Sequence, residues 1–166
     1  MQTLSNLQRN SSYKRALTKI LTAIGLLYYE SITSIYPYLP SLFGLFFIYL
    51  LFYLNSKLRF YEILYSFFYI IVYELDKGFY LFSFIIFFII YYNFIKEEIK
   101  KYIFCKLCLA FVYVFSGYIG YYGINYAISF ILNENMPSLI GFNNTLYFLN
   151  IAIDTVLVFF VFKNRL

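Results

Sequence analysis

The sequence predicts an all-α fold set in a membrane, a bundle of about six transmembrane helices with both chain ends on the cytoplasmic side. Three observations lead there. Hydrophobic residues make up 63% of the 166 residues and charged ones 13%, with a mean hydropathy of +0.72, more apolar surface than a soluble domain of this length buries. The apolar residues come in six runs separated by short polar connections. Lysine and arginine fall almost entirely in alternate connections. No proline-rich or small polar stretch divides the chain, so residues 16–166 read as one transmembrane domain behind a basic cytoplasmic tail, residues 1–15.

The first run, Ala16–Tyr36, follows Arg9, Lys14 and Arg15 and lacks the small-residue cleavage site of a signal peptide. Ser41–Leu54, Tyr61–Tyr73, Phe79–Ile95, Tyr102–Leu132 and Leu146–Phe162 follow. A spanning helix takes roughly 17–25 residues, which the fourth, fifth and sixth runs supply outright. The second and third reach that length only when extended, the second back toward Ile35 and the third over Leu58–Leu75, with charges at headgroup level. A re-entrant hairpin would instead hold Glu74, Asp76 and Lys77 inside the bilayer, where ionised side chains cost several kcal/mol.

Six crossings from a cytoplasmic N-terminus put Arg9, Lys14, Arg15 and Lys19 inside, then Lys57 and Arg59, then Lys96, Lys100, Lys101 and Lys106, and finally Lys163 and Arg165. Of the 13 cationic residues only Lys77 falls outside, beside Glu74 and Asp76, and Glu134 lies in the next outer loop. An odd number of crossings would strand a basic segment on the wrong side. The bacterial inner membrane and its lipid are the expected surroundings.

The net charge of +5 does not point to nucleic acid, because the cations punctuate apolar runs rather than form a patch interleaved with stacking aromatics. With no histidine and two cysteines, neither a structural zinc site nor a disulfide framework is expected. No phosphate-binding glycine loop and no Ser/His/Asp set is present, so the reading is a protein without catalytic residues or cofactor. Cys105 and Cys108 form a C-x-x-C at the cytoplasmic end of helix five. Thiol-oxidising membrane proteins place such a pair on the oxidising side with a second pair to relay to, and packing between helices is the simpler use of these two.

On helix five, Ser116, Gly120, Gly123 and Ala127 share one face, widened by Gly117, where another helix backbone can approach closely. Internal packing is the simpler use of that face, contact with a second protein the other. The intramembrane acids Glu30 and Asp154, with Glu74 at the end of helix three, are the default functional flags, and capping or burial of a protonated acid is the plainer account. Lys96-Glu97-Glu98-Ile99-Lys100-Lys101 reads as a solvated connection with charges at pairing distance.

The order of elements resembles the MreD family, the small membrane subunit of the bacterial rod-shape complex. The likeness is carried by the basic tail, the Tyr36-Pro37-Tyr38-Leu39-Pro40 connection, a second helix beginning Ser41-Leu42, the Val72–Gly78 segment and a last helix with a short basic end. In that family G-x-x-x-D-x-x-x-G-x-x-x-G ends helix three and turns into helix four. Here the acid falls at Glu74 and the following glycine at Gly78, while Ile70 and Phe82 replace the outer glycines.

The resemblance implies a non-catalytic scaffold of the elongasome. It would bind MreC, a bitopic partner, and help couple cytoplasmic MreB filaments to the peptidoglycan transpeptidase and glycosyltransferase. A small-molecule-binding transporter subunit, similar to vitamin S-components, is the competing expectation, and a quinone-linked thiol oxidase the third. A solute binder needs a polar cavity with convergent donors, whereas a scaffold has an interior filled by side chains.

Overall fold

The computed structural model describes residues 2–36, 39–54, 60–134 and 145–163. Every regular element among them is helical: α1 (Gln2–Ile35), α2 (Phe43–Tyr53), α3 (Phe60–Lys77), α4 (Ser83–Ile90), α5 (Lys96–Tyr102), α6 (Lys106–Leu132) and α7 (Thr145–Phe162). A π-helical turn, Tyr91–Ile95, joins α4 to α5 in one continuous rod, so the described chain forms six rods.

Several boundaries differ from the sequence reading. Helix α1 starts at Gln2, so the expected tail is helical along its backbone. Helix α2 does not reach back to Ile35: Pro40 cannot donate to a helical ladder, and Leu42 takes a left-handed φ of 54° just ahead of Phe43. At 11 residues α2 is about 16 Å long. The Lys96–Lys101 stretch is helical rather than a loop, and the helix is interrupted afterwards, where Ile103 and Cys105 are extended.

Two helix ends close by one device. Gly78, at φ 70°, follows α3, with its N–H donating to the Leu75 carbonyl at 3.3 Å and the Phe79 N–H to that of Glu74 at 2.9 Å. Asn133, at φ 53°, ends α6 with donation to Phe130, while the Glu134 N–H reaches Ser129 at 3.2 Å. Both are Schellman closures, which need a residue tolerant of left-handed φ.

Helix α2 is apolar all round, and such a helix belongs inside a bundle. It lies against α3, α6 and α7, with Phe43, Phe47, Ile48, Leu50 and Leu51 buried. Phe43 is the hub: its ring centroid lies 5.0 Å from Tyr73, 5.0 Å from Tyr121, 5.1 Å from Tyr118 and 6.0 Å from Phe84. Among the described residues α6 alone is both long and apolar enough to cross a membrane by itself.

Candidate functional site

The interior polar groups gather at the helix starts inside the aromatic core. Glu74 is fully buried near the end of α3. Its Oε2 accepts from the Phe82 N–H at 2.8 Å, and its Oε1 from the Phe84 N–H at 2.7 Å, the Ser83 hydroxyl at 2.9 Å and the Tyr121 hydroxyl at 3.2 Å. Those amides open α4, whose own N-cap, Phe82, has a φ of 64° and offers no side-chain acceptor. Glu74 therefore caps α4 from a neighbouring helix, and an acid at that end also complements the helix dipole.

Asp154 repeats the arrangement on α2. Its Oδ2 accepts from the Gly44 N–H at 2.7 Å and from the Tyr118 hydroxyl at 2.7 Å, where the N-cap Leu42 again provides no side-chain acceptor. Gly44 is required for the approach, because a Cβ there would lie 2.8 Å from Asp154 Oδ2. At the other end of α2, Lys96 Nζ donates to the Leu51 carbonyl at 3.3 Å while sitting 4.4 Å from the Tyr92 ring centroid. An acid at the N-terminus and an ammonium at the C-terminus both suit the dipole of this short helix.

Glu30, on α1, is fully buried as well. The Tyr69 hydroxyl bridges Glu30 Oε2 and the Ser41 carbonyl, and the Ser41 hydroxyl meets that of Tyr118 at 3.2 Å. Glu30 and Asp154 are thus linked through Tyr69, Ser41 and Tyr118. The link is no proton wire, because it passes through the Ser41 backbone carbonyl, which cannot hand a proton on to its own hydroxyl. It stitches α1, α3, α6 and α7 around the start of α2. Glu30 Oε1 and Asp154 Oδ1 make no hydrogen bond among the described residues.

The three acids come together with residues the sequence reading did not connect to them: Ser41, Gly44, Tyr69, Ser83, Tyr118 and Tyr121. Tyr118 and Tyr121 lie three apart on α6, one turn serving two carboxyl groups. That spacing was available in the sequence, but nothing marked those two among 21 tyrosines.

The small-residue face of α6 divides. A Cβ on Gly117 would meet the Phe47 ring at 2.7 Å, and one on Gly120 the Phe87 ring at 2.6 Å. Ser116 donates to the Val112 carbonyl at 2.6 Å and lies 2.6 Å from the Tyr91 hydroxyl. Gly123 has nothing within 4 Å, and it and Ala127 are exposed. Two glycines of this helix thus admit aromatic rings rather than a backbone.

Cys105 and Cys108 are both exposed, so they are not the packing residues expected of them. Cys105 lies outside the helix as the N-cap of α6, its sulfur accepting from the Cys108 N–H at 3.4 Å. Hydrogen bonds from Cys108, side chain first and then backbone, hold the Cys105 thiol below the usual cysteine range.

A groove of about 400 Å³ runs between α1 and α3, lined by Ile20, Ile24, Leu27, Leu64 and Phe68 among others. Nothing in that lining gathers the convergent polar groups a solute site requires. No group of three or more potential metal ligands occurs among the described residues.

No family model, curated protein or solved structure matches the chain.

Proposed function

We propose that this protein is a multi-pass protein of the bacterial inner membrane, both ends cytoplasmic, that serves as a non-catalytic scaffold of the rod-shape complex in the manner of MreD. Its task in this reading is to bind an MreC-like bitopic partner and help couple MreB filaments to peptidoglycan synthases. The observation that carries the reading is an apolar exterior combined with acids buried and hydrogen-bonded inside the aromatic core. Glu30, Glu74, Asp154 and Asn125 are buried, while Ile85, Ile86, Ile89 and Ile90 on α4, Phe130 and Ile131 on α6 and Phe160 and Val161 on α7 face outward. Contiguous apolar exteriors of this kind suit lipid, not water.

The capped helix starts belong to the same logic. Within hydrocarbon, an interrupted helix is tolerated only where its free amides are satisfied inside the protein. Glu74 and Asp154 do this for α4 and α2, and enclosure by α3, α6 and α7 keeps the short α2 away from lipid. A scaffold also accounts for the filled interior, since Phe43, Phe47, Phe84, Phe87 and Tyr121 occupy the space a transporter subunit would keep for solute. A quinone-linked oxidase usually relays electrons to a second thiol pair, and the chain has two cysteines in all.

The test is capture of the tagged protein in mild detergent with identification of what accompanies it. Recovery of an MreC-like bitopic protein is the expected result. An energising ATPase pair with no wall-synthesis protein would overturn the scaffold in favour of a transporter subunit.

A further inference from the structure

Among the features the scaffold leaves unused, the cysteine pair combines accessibility, position and a defined mutual geometry. Cys105 has extended dihedrals, φ −77° and ψ 121°, and caps a 27-residue helix. Its sulfur is held 3.4 Å from the Cys108 backbone nitrogen, over the turn from which the second thiol springs. Both cysteines are free and exposed. Phe104 beside them is 92% exposed, and no described residue buries the pair. The neighbouring Lys106 ammonium is engaged at 3.0 Å with the Lys163 carbonyl at the end of α7, which anchors this turn while leaving the sulfurs clear.

We infer that Cys105 and Cys108 form a reversible dithiol–disulfide couple that exchanges with low-molecular-weight disulfides, Cys105 attacking and Cys108 resolving. The roles follow from position. The Cys105 sulfur sits at the N-cap of α6 and accepts from the Cys108 N–H, a place where helix amides stabilise a thiolate, and the lowered range of its thiol agrees. In the first step the Cys105 thiolate attacks one sulfur of an R–S–S–R molecule. A Cys105–S–S–R bond forms, and RS⁻ leaves and takes up the proton Cys105 gave. In the second, deprotonated Cys108 attacks the Cys105 sulfur, closing the protein disulfide and expelling the other RS⁻, which takes the Cys108 proton. Two electrons and two protons pass from protein to small disulfide, leaving two RSH.

The cross-link would span one turn and join no second helix, so it changes the chemistry of this surface without locking the bundle. It is therefore compatible with the scaffold and independent of it.

The experiment treats the full-length protein in detergent with glutathione disulfide and follows each cysteine by mass spectrometry after acid quenching. Wild type is expected to close to the Cys105–Cys108 disulfide with little mixed disulfide remaining. Cys108→Ser should accumulate glutathione on Cys105, and Cys105→Ser should react at Cys108 about ten-fold more slowly. Equal rates in the two variants would overturn the assigned roles. Stable glutathione adducts on wild type, without closure, would overturn the couple itself. Neither exposed substitution touches the core, and unchanged far-UV circular dichroism would exclude misfolding as the cause.

Discussion

Glu74 offers the sharpest test of the interior. Replacing it by alanine removes the acceptor for four donors, the Phe82 and Phe84 amides and the Ser83 and Tyr121 hydroxyls. The two hydroxyls lie 3.4 Å apart and can turn toward each other. The two amides are fixed by the backbone and cannot. At about 1–3 kcal/mol for each buried donor left unpaired, Glu74→Ala should cost about 2–6 kcal/mol. Side-chain hydrogen bonds between membrane helices average only about 0.6 kcal/mol, because the unfolded chain in lipid also finds partners. The magnitude thus separates a cap on a helix start from an ordinary interhelical contact.

Glu74→Gln keeps a carbonyl for the Phe84 amide but turns an NH₂ toward that of Phe82, so its loss should be about half as large. Both values can be measured by reversible unfolding in mixed micelles containing a denaturing detergent, followed by far-UV circular dichroism. A loss of about 0.6 kcal/mol or less for Glu74→Ala would refute the capping argument.

The glycines of α6 should respond by what their Cβ would meet. Gly117→Ala and Gly120→Ala drive a methyl into the Phe47 and Phe87 rings and should each cost about 1–3 kcal/mol in the same unfolding assay. Gly123→Ala meets nothing and should stabilise the helix by up to about 1 kcal/mol; equal effects at all three positions would contradict the packing described. Phe43→Ala, which empties the hub of the aromatic cluster, should cost about 3–5 kcal/mol and lower the thermal midpoint accordingly. Reporter fusions at the two chain ends should both report the cytoplasm, and opposite sides would rule out six crossings.

Some of this was written plainly in the sequence and some could not be. The helical class and the six rods follow from apolar runs of helical length broken at Pro40, Gly78 and Asn133, each residue disfavouring further helix in its own way. Hydropathy failed at the junction near residue 102, because it registers solubility rather than hydrogen bonding. The charged Lys96–Lys101 stretch continues a helix through a π turn, whereas the greasy Ile103 and Phe104 interrupt one. The acids were visible as isolated charges in apolar surroundings, but their partners were not, since Gly44 and Asp154 lie 110 residues apart and Tyr121 and Glu74 lie 47 apart.

Those distant pairings explain why the interior carries acids at all. A helix that begins inside a bundle exposes up to four amides, and its local sequence ordinarily supplies a serine, threonine or aspartate to meet them. Here the N-caps are Leu42 and Phe82, which have no acceptor and hold left-handed φ at a cost of about 1–2 kcal/mol each. The acceptor comes instead from another helix, so neither α2 nor α4 is satisfied until α7 and α3 are packed against it. A local cap would satisfy each helix start without reference to the rest of the bundle. A cap delivered across the bundle ties the helix start to the tertiary structure, and Tyr118 and Tyr121 bring both starts under the single helix α6. Rigidity of that origin would suit the scaffold proposed above, whose task is to hold partners in fixed relation.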